Sequence, residues 1–150
     1  MCSLDKIAVI SDVLITPLKI VDVPDGNVMH AMKESDSGYV DFGEAYFSEI
    51  IPFKIKAWKR HKKMTLNIVV PVGCIRFVLY DDRENLNGTF HEVIISKDNF
   101  CRLTVPPMVW MGFQSQSTDC SMLLNIADIK HNPSEVDKKN IEEIEFNWSD

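Results

Sequence analysis

An all-β sandwich or barrel is the fold class that this sequence predicts, and three observations carry the prediction. Strand-length apolar or alternating segments recur at intervals of about ten residues, and each is bounded by Pro, Gly, Asn or Asp. No long run with a 3.6-residue period precedes Ser134, so helix is expected to be a minor component.

Taken in order, Ile7 to Leu18 and Leu18 to Val23 are short β-branched runs parted near Pro17, and Val23-Pro24-Asp25-Gly26-Asn27 has the composition of a turn. The pattern then becomes regular. Strands are expected over Gly43 to Ile51, Ile55 to His61, Thr65 to Val70, Cys74 to Tyr80, Phe90 to Ile95, Cys101 to Val105 and Ser121 to Ala127. The breaks fall at Ile51-Pro52, Pro71-Val72-Gly73, Asn87-Gly88, Lys97-Asp98-Asn99, Pro106-Pro107 and Gly112. Pro133 and Ser134 would open one short acidic helix reaching Ile144.

With 150 residues and 45% hydrophobic composition, the chain holds enough apolar material for one core, so residues 1–150 are expected to form a single domain. No run approaches the roughly 18 apolar residues of a membrane span, and Met1 to Asp5 lack the pattern of a signal peptide. A cytoplasmic protein with no membrane partner is the expectation. The net charge of -6 argues against a nucleic-acid partner. Charge is unevenly spread, however, with six of the 16 Lys and Arg residues falling between Lys54 and Lys63. Cys2, Cys74, Cys101 and Cys120 form no CxxC pair and read as idle or buried thiols.

The strings Phe42 to Ser48, Ile55-Lys56-Ala57-Trp58-Lys59-Arg60-His61, Met64 to Asn67, Val70-Pro71-Val72-Gly73 and Tyr80-Asp81-Asp82-Arg83 together resemble the dTDP-4-dehydrorhamnose 3,5-epimerase-like cupins. Val105 to Phe113 and Asn125 to Pro133 continue a match that covers about residues 26 to 148. The resemblance implies an RmlC-like cupin, a jelly-roll β-barrel, acting as an epimerase or isomerase on a nucleotide-linked keto sugar in a deoxysugar or surface-polysaccharide pathway. It also implies a homodimer, with the N-terminal strands within residues 1–25 at the interface. A cupin that binds a sugar nucleotide or a partner protein without catalysis is the alternative.

In this resemblance the family's Arg and its base His fall on Lys56 and Lys59, its Tyr acid aligns best with Leu124, and its nucleotide-holding Gln and Asn fall on Glu44 and Tyr46. Lys56, Lys59 and His61, with Glu44 and Tyr46, are therefore the expected substrate-binding residues. Lys59, His61 and Tyr46 are the candidates for catalysis. Strand alternation sends Lys59, His61 and Lys63 to one face, and a lysine crowded by other cations loses its proton more readily, so Lys59 is a candidate base. Glu44, Tyr46 and Ser48 alternate onto one face of their own strand. Asp128 and His131 follow the last strand and read first as turn caps. The metal-ligand positions of cupins fall on Lys59, His61, Leu66 and Met111. One imidazole cannot hold a transition metal, so neither a metal nor another cofactor is expected.

Overall fold

The structure, a computed structural model, describes residues 10–83 and 88–149. Cys2, Asn87 and the Ile7 to Val9 portion of the first expected strand lie outside the described residues.

Among the described residues twelve strands form in chain order: β1 (Leu14–Pro17), β2 (Ile20–Val21), β3 (Val28–Met29), β4 (Glu44–Ile50), β5 (Ile55–His61), β6 (Leu66–Val72), β7 (Ile75–Asp81), β8 (Thr89–Ile95), β9 (Cys101–Val105), β10 (Trp110–Ser115), β11 (Ser121–Ala127) and β12 (Val136–Lys138). They build two five-stranded sheets, ordered β1-β9-β6-β11-β4 and β12-β5-β10-β7-β8, while β2 and β3 pair as a separate hairpin. Every pairing is antiparallel, and apart from β2–β3 and β7–β8 each joins strands that are not consecutive in the chain. This is the expected all-β jelly roll.

Alternation explains the inner faces. Leu66, Ile68 and Val70 of β6, Leu103 and Val105 of β9, and Leu123 of β11 meet Ile75, Phe77 and Leu79 of β7 and Ile95 of β8 in one apolar core. The turn between β6 and β7 needs a left-handed residue, and Gly73 supplies it at φ 83°. The continuous apolar run of β7 has a separate cause. Its outward residue Val78 packs with Trp58, Trp110, Ile144 and Trp148 in a second cluster on the outer face of the β5–β10–β7 sheet. Gly112 of β10 admits this cover, since a Cβ there would stand 3.0 Å from the Trp148 ring.

Three expectations are corrected. The helix expected over Ser134 to Ile144 is replaced by 3-10 turns at Pro133–Glu135 and Ile141–Glu143, with β12 between them. Its residues gain more from the open edge of β5 than from an isolated helical turn, pairing Val136 with His61, Asp137 with Arg60 and Lys138 with Lys59. Residues 110–115, not assigned to a strand from the sequence, form β10 at the centre of a sheet, where Gly112 weakened the β signal. Within the described part of the first β-branched run, the strand spans Leu14–Pro17 and pairs with β9.

Candidate active site

Between the two sheets the inner faces open into a cavity of about 1030 Å³. One wall comes from β4 and β11, the opposite wall from β5 and β10, and the segment after β11 closes the side through His131, Pro133, Val136 and residues 138–140. Glu44, Tyr46, Lys56, Lys59 and His61, the five residues expected from the sequence, all line it, as does Ser48.

Strict alternation would have set Lys56 and Lys59, three residues apart, on opposite faces of β5. The register against β10 resolves the conflict. Met111 opposes Lys59 and Phe113 opposes Lys56, so three steps on β5 face two on β10. This extra residue shifts the parity, and Lys56, Lys59 and His61 all reach the cavity. Between them Trp58 turns to the outer cluster, where its indole Nε1 donates to the Ile141 carbonyl at 3.2 Å. Lys63, expected on the same face as Lys59, lies beyond the end of β5 and does not line the cavity.

His61 is held from behind. Its Nδ1 meets Glu135 Oε1, and Glu135 Oε2 accepts from the backbone N–H groups of Lys63 at 3.1 Å and Met64 at 3.2 Å. Glu135 is only 5% exposed. Burial works against its charge, yet the hydrogen bonds from His61, Lys63 and Met64, together with the His61 charge, prevail and hold its carboxyl below the ordinary glutamate value. An ionised carboxylate can only accept, so Nδ1 carries the proton that His61 donates to Glu135.

Across the cavity, cross-strand neighbours Tyr46 and Asn125 form the other pair, with Asn125 Nδ2 donating to Tyr46 Oη at 3.0 Å. Leu124, where the family acid was aligned, is corrected by strand parity. Leu123 and Asn125 line the cavity, whereas Leu124 belongs to the opposite face of β11.

The cations divide by partner. Lys56 Nζ donates to the Glu49 carbonyl at 2.6 Å and lies 3.5 Å from Ser48 Oγ. Lys59 faces Lys138 across the β5–β12 pairing, and neither has a carboxylate partner among the described residues. Partial desolvation first, then the charges of Lys138 and Lys56, lower the pKa of Lys59 below the ordinary lysine value. Lys139, also in the lining, sits 5.0 Å from the centre of the Trp110 ring.

Glu44 Oε1 accepts from the His131 backbone N–H at 2.8 Å, and Asp128 Oδ1 caps the Thr65 N–H at 2.8 Å. Asp128 is thus a turn cap outside the cavity lining, while His131 contributes to it. The four cupin ligand positions, Lys59, His61, Leu66 and Met111, do converge on the cavity, with one imidazole among them. Among the described residues no three His, Cys, Asp or Glu side chains come together as a metal site. Sequence reasoning missed Glu135, Asn125 and Lys138. Nothing local marks them, because the pairing of β12 with β5 and the parity of β11 bring them in.

No protein-family model matches the chain. It is similar to the spore coat polysaccharide biosynthesis protein SpsL of Bacillus subtilis strain 168, with 31% identity over 114 residues, 72% of this chain and 76% of that protein. Its fold superposes on a dTDP sugar isomerase from Desulfovibrio desulfuricans G20 with a TM-score of 0.88 and 35% identity, covering 93% of this chain and 92% of the other. This chain belongs to the dTDP-4-dehydrorhamnose 3,5-epimerase-like cupins. Another structure of this fold, the dTDP-4-dehydrorhamnose 3,5-epimerase of Sulfolobus tokodaii, matches with a TM-score of 0.80 at 17% identity, covering 94% of this chain and 84% of that one. Lys59 and His61, two residues apart on β5, both line the cavity of this chain.

Proposed function

We propose that this protein is an epimerase or isomerase acting on a nucleotide-linked 4-keto-6-deoxysugar in a deoxysugar or surface-polysaccharide pathway. The observation that carries the reading is the opposition of two polar pairs across one cavity. His61 with Glu135 stands on one wall, and Tyr46 with Asn125 stands on the other. Such chemistry needs a base to take the proton beside the carbonyl, a donor for the enolate oxygen, and an acid to return a proton.

In this reading His61 Nε2 takes the α-proton, and Glu135 holds the ring in the accepting tautomer and stabilises the imidazolium that forms. Tyr46 donates from the facing wall to the carbonyl or enolate. Lys56, Lys59 and Lys138 hold the pyrophosphate, whose charge relieves the mutual repulsion of the last two. The base thus passes from Lys59 to His61, because only His61 has a carboxylate orienting it. The protein would work in the cytoplasm as a homodimer, in which a second copy covers strand edges left open by each sheet.

Deuterium wash-in tests the reaction. Incubated in D₂O with dTDP-4-keto-6-deoxyglucose, the protein should exchange a proton beside the carbonyl, read by NMR. His61→Asn should slow exchange by about 10²-fold or more, while Lys59→Arg should retain it and alter binding. Exchange lost in Lys59→Arg and kept in His61→Asn would return the base to Lys59. No exchange with any keto sugar, beside retained dTDP binding, would leave a binding module.

A further inference from the structure

The strap of chain from Glu135 to Trp148 changes sides of the sheet. Lys138, Lys139, Asn140 and Glu143 line the cavity, whereas Ile144, Phe146 and Trp148 pack on the outer face of the β12–β5–β10–β7–β8 sheet. The inner part has few holds. β12 is three residues long and lies at the sheet edge. Its pairing with β5 is extended only by the mutual backbone bonds of Trp58 and Lys139, at 3.0 and 3.1 Å, and by the Lys62 N–H donating to the Glu135 carbonyl at 2.8 Å. Short edge pairings are the ones that open locally. The outer part is anchored more deeply. Trp148 is 9% exposed, and its ring centre lies 5.4 Å from that of Trp58 and 5.0 Å from that of Phe146. Buried Arg76 donates to the Trp148 carbonyl at 3.3 Å. The Trp148 indole N–H has no hydrogen-bond partner, so ring contacts hold the side chain. Trp58 joins the two parts, its backbone bonded to Lys139 and its indole N–H to the Ile141 carbonyl.

We infer that Trp148 is a positioning residue for the cavity: by fastening the end of the strap to the outer face of the sheet, it keeps Glu135 behind His61 and Lys138 opposite Lys59 on the inner side. What those residues do for a ligand rests on the proposed nucleotide-sugar reading, whereas the fastening itself does not. Without the ring, the three-residue pairing of β12 must hold the strap almost alone, and Glu135 and Lys138 are in place for a smaller part of the time. A site works only as well as the elements that hold its groups in place. Trp148 does not line the cavity, so its effect on a ligand passes through the strap residues that do.

Hydrogen exchange of the full chain without ligand, read by mass spectrometry, tests the fastening. The amides of Trp58, Lys62, Lys63 and Met64 have their acceptors on the strap. In Trp148→Ala, at a temperature where the variant is folded, they should exchange at least about tenfold faster than in the parent, while amides of β6 and β9 change by less than about twofold. Trp148→Phe, which keeps a ring and loses only an unpaired N–H, should behave as the parent. Should Trp148→Ala not fold, Phe146→Ala trims the same cluster and should give the same pattern at smaller size. Calorimetric titration with dTDP tests the consequence for the cavity. Trp148→Ala should bind about fivefold more weakly, and that loss should shrink to within about twofold in a Lys138→Ala background. The inference is overturned by equal acceleration throughout the barrel, by none at the four amides, by unchanged dTDP affinity in Trp148→Ala, or by a loss that persists in full without Lys138. A parent that does not bind dTDP, beside selective opening at the four amides in Trp148→Ala, upholds the fastening and removes the nucleotide-sugar reading.

Discussion

On the outer faces of the two sheets Arg60, Arg76 and Arg102 each hold a carboxylate of the chain, whereas among the described residues the two lysines that face each other in the cavity between the sheets hold none. Arg102 of β9 is fully buried, donates to the carbonyls of Ala31 at 2.8 Å and Ser37 at 3.0 Å, and lies 3.4 Å from Asp36. Arg76 of β7 pairs with Glu92 at 2.7 Å, bonds the Trp148 carbonyl at 3.3 Å and stacks on Phe146. Arg60 points away from its neighbours Lys59 and His61, reaching Asp137 at 2.7 Å over the Trp110 ring. Lys59 and Lys138 have no such shell, and their repulsion is left in place. A cation that holds the fold together takes carboxylate and carbonyl partners from the chain itself. One that is proposed to meet a ligand lacks a carboxylate among the described residues, so within β5 alone the partners separate Arg60 from Lys59.

The largest effect that this contrast predicts is at Arg102. Arg102→Ala would leave the Ala31 and Ser37 carbonyls and Asp36 without their donor and free the segment they belong to. Urea denaturation should show a loss of about 3 kcal/mol. Binding of dTDP should persist in the folded fraction, since Arg102 does not line the cavity.

An intermediate effect is expected at Glu135, which serves both purposes: it fastens the chain after β5 and orients His61. Glu135→Gln should cost about 1–2 kcal/mol at neutral pH. The pH dependence has a defined sign. Because the folded-state pKa lies below the ordinary value of 4.5, the unfolded chain binds more protons between the two values. The stabilisation from ionised Glu135 is present above pH 4.5 and lost as pH falls through the folded value. Stability curves in acid should therefore be shallower for Glu135→Gln than for the parent, and equal slopes would remove the ionised dyad from the account.

The smallest effect on stability is predicted in the cavity. Lys59→Ala and Lys138→Ala should each leave the unfolding midpoint unchanged or slightly raised, because each relieves a like-charge contact. Each should weaken dTDP binding about tenfold, more at low salt than at high salt. A clear loss of stability in either variant would place that lysine with the structural cations and break the comparison.

Strand boundaries show how far local sequence reaches. Residues 55–61, 101–105 and 121–127 were legible to the residue, because alternating or β-branched runs end there at turn-forming residues. Five cavity residues were legible as well, since the resemblance and the alternation of β4 agree on the same face. The reading failed wherever parity or pairing had to be known beforehand. The bulge in β5 brings Lys56 and Lys59 to one side, and a one-residue difference on β11 exchanges Leu124 for Asn125.

The sequence by itself determined an all-β chain and its run of cations around Lys59, because period and composition are properties of neighbours along the chain, while the cupin type and the choice of Tyr46 and His61 came from the resemblance of its motifs to the family. Only the tertiary structure decided that Glu135 stands behind His61, that Lys138 opposes Lys59 and that Asn125 completes Tyr46. These pairs are 74 to 79 residues apart. Which residues meet at that separation is set by strand register and sheet order, which the buried apolar faces fix together only when the whole barrel closes.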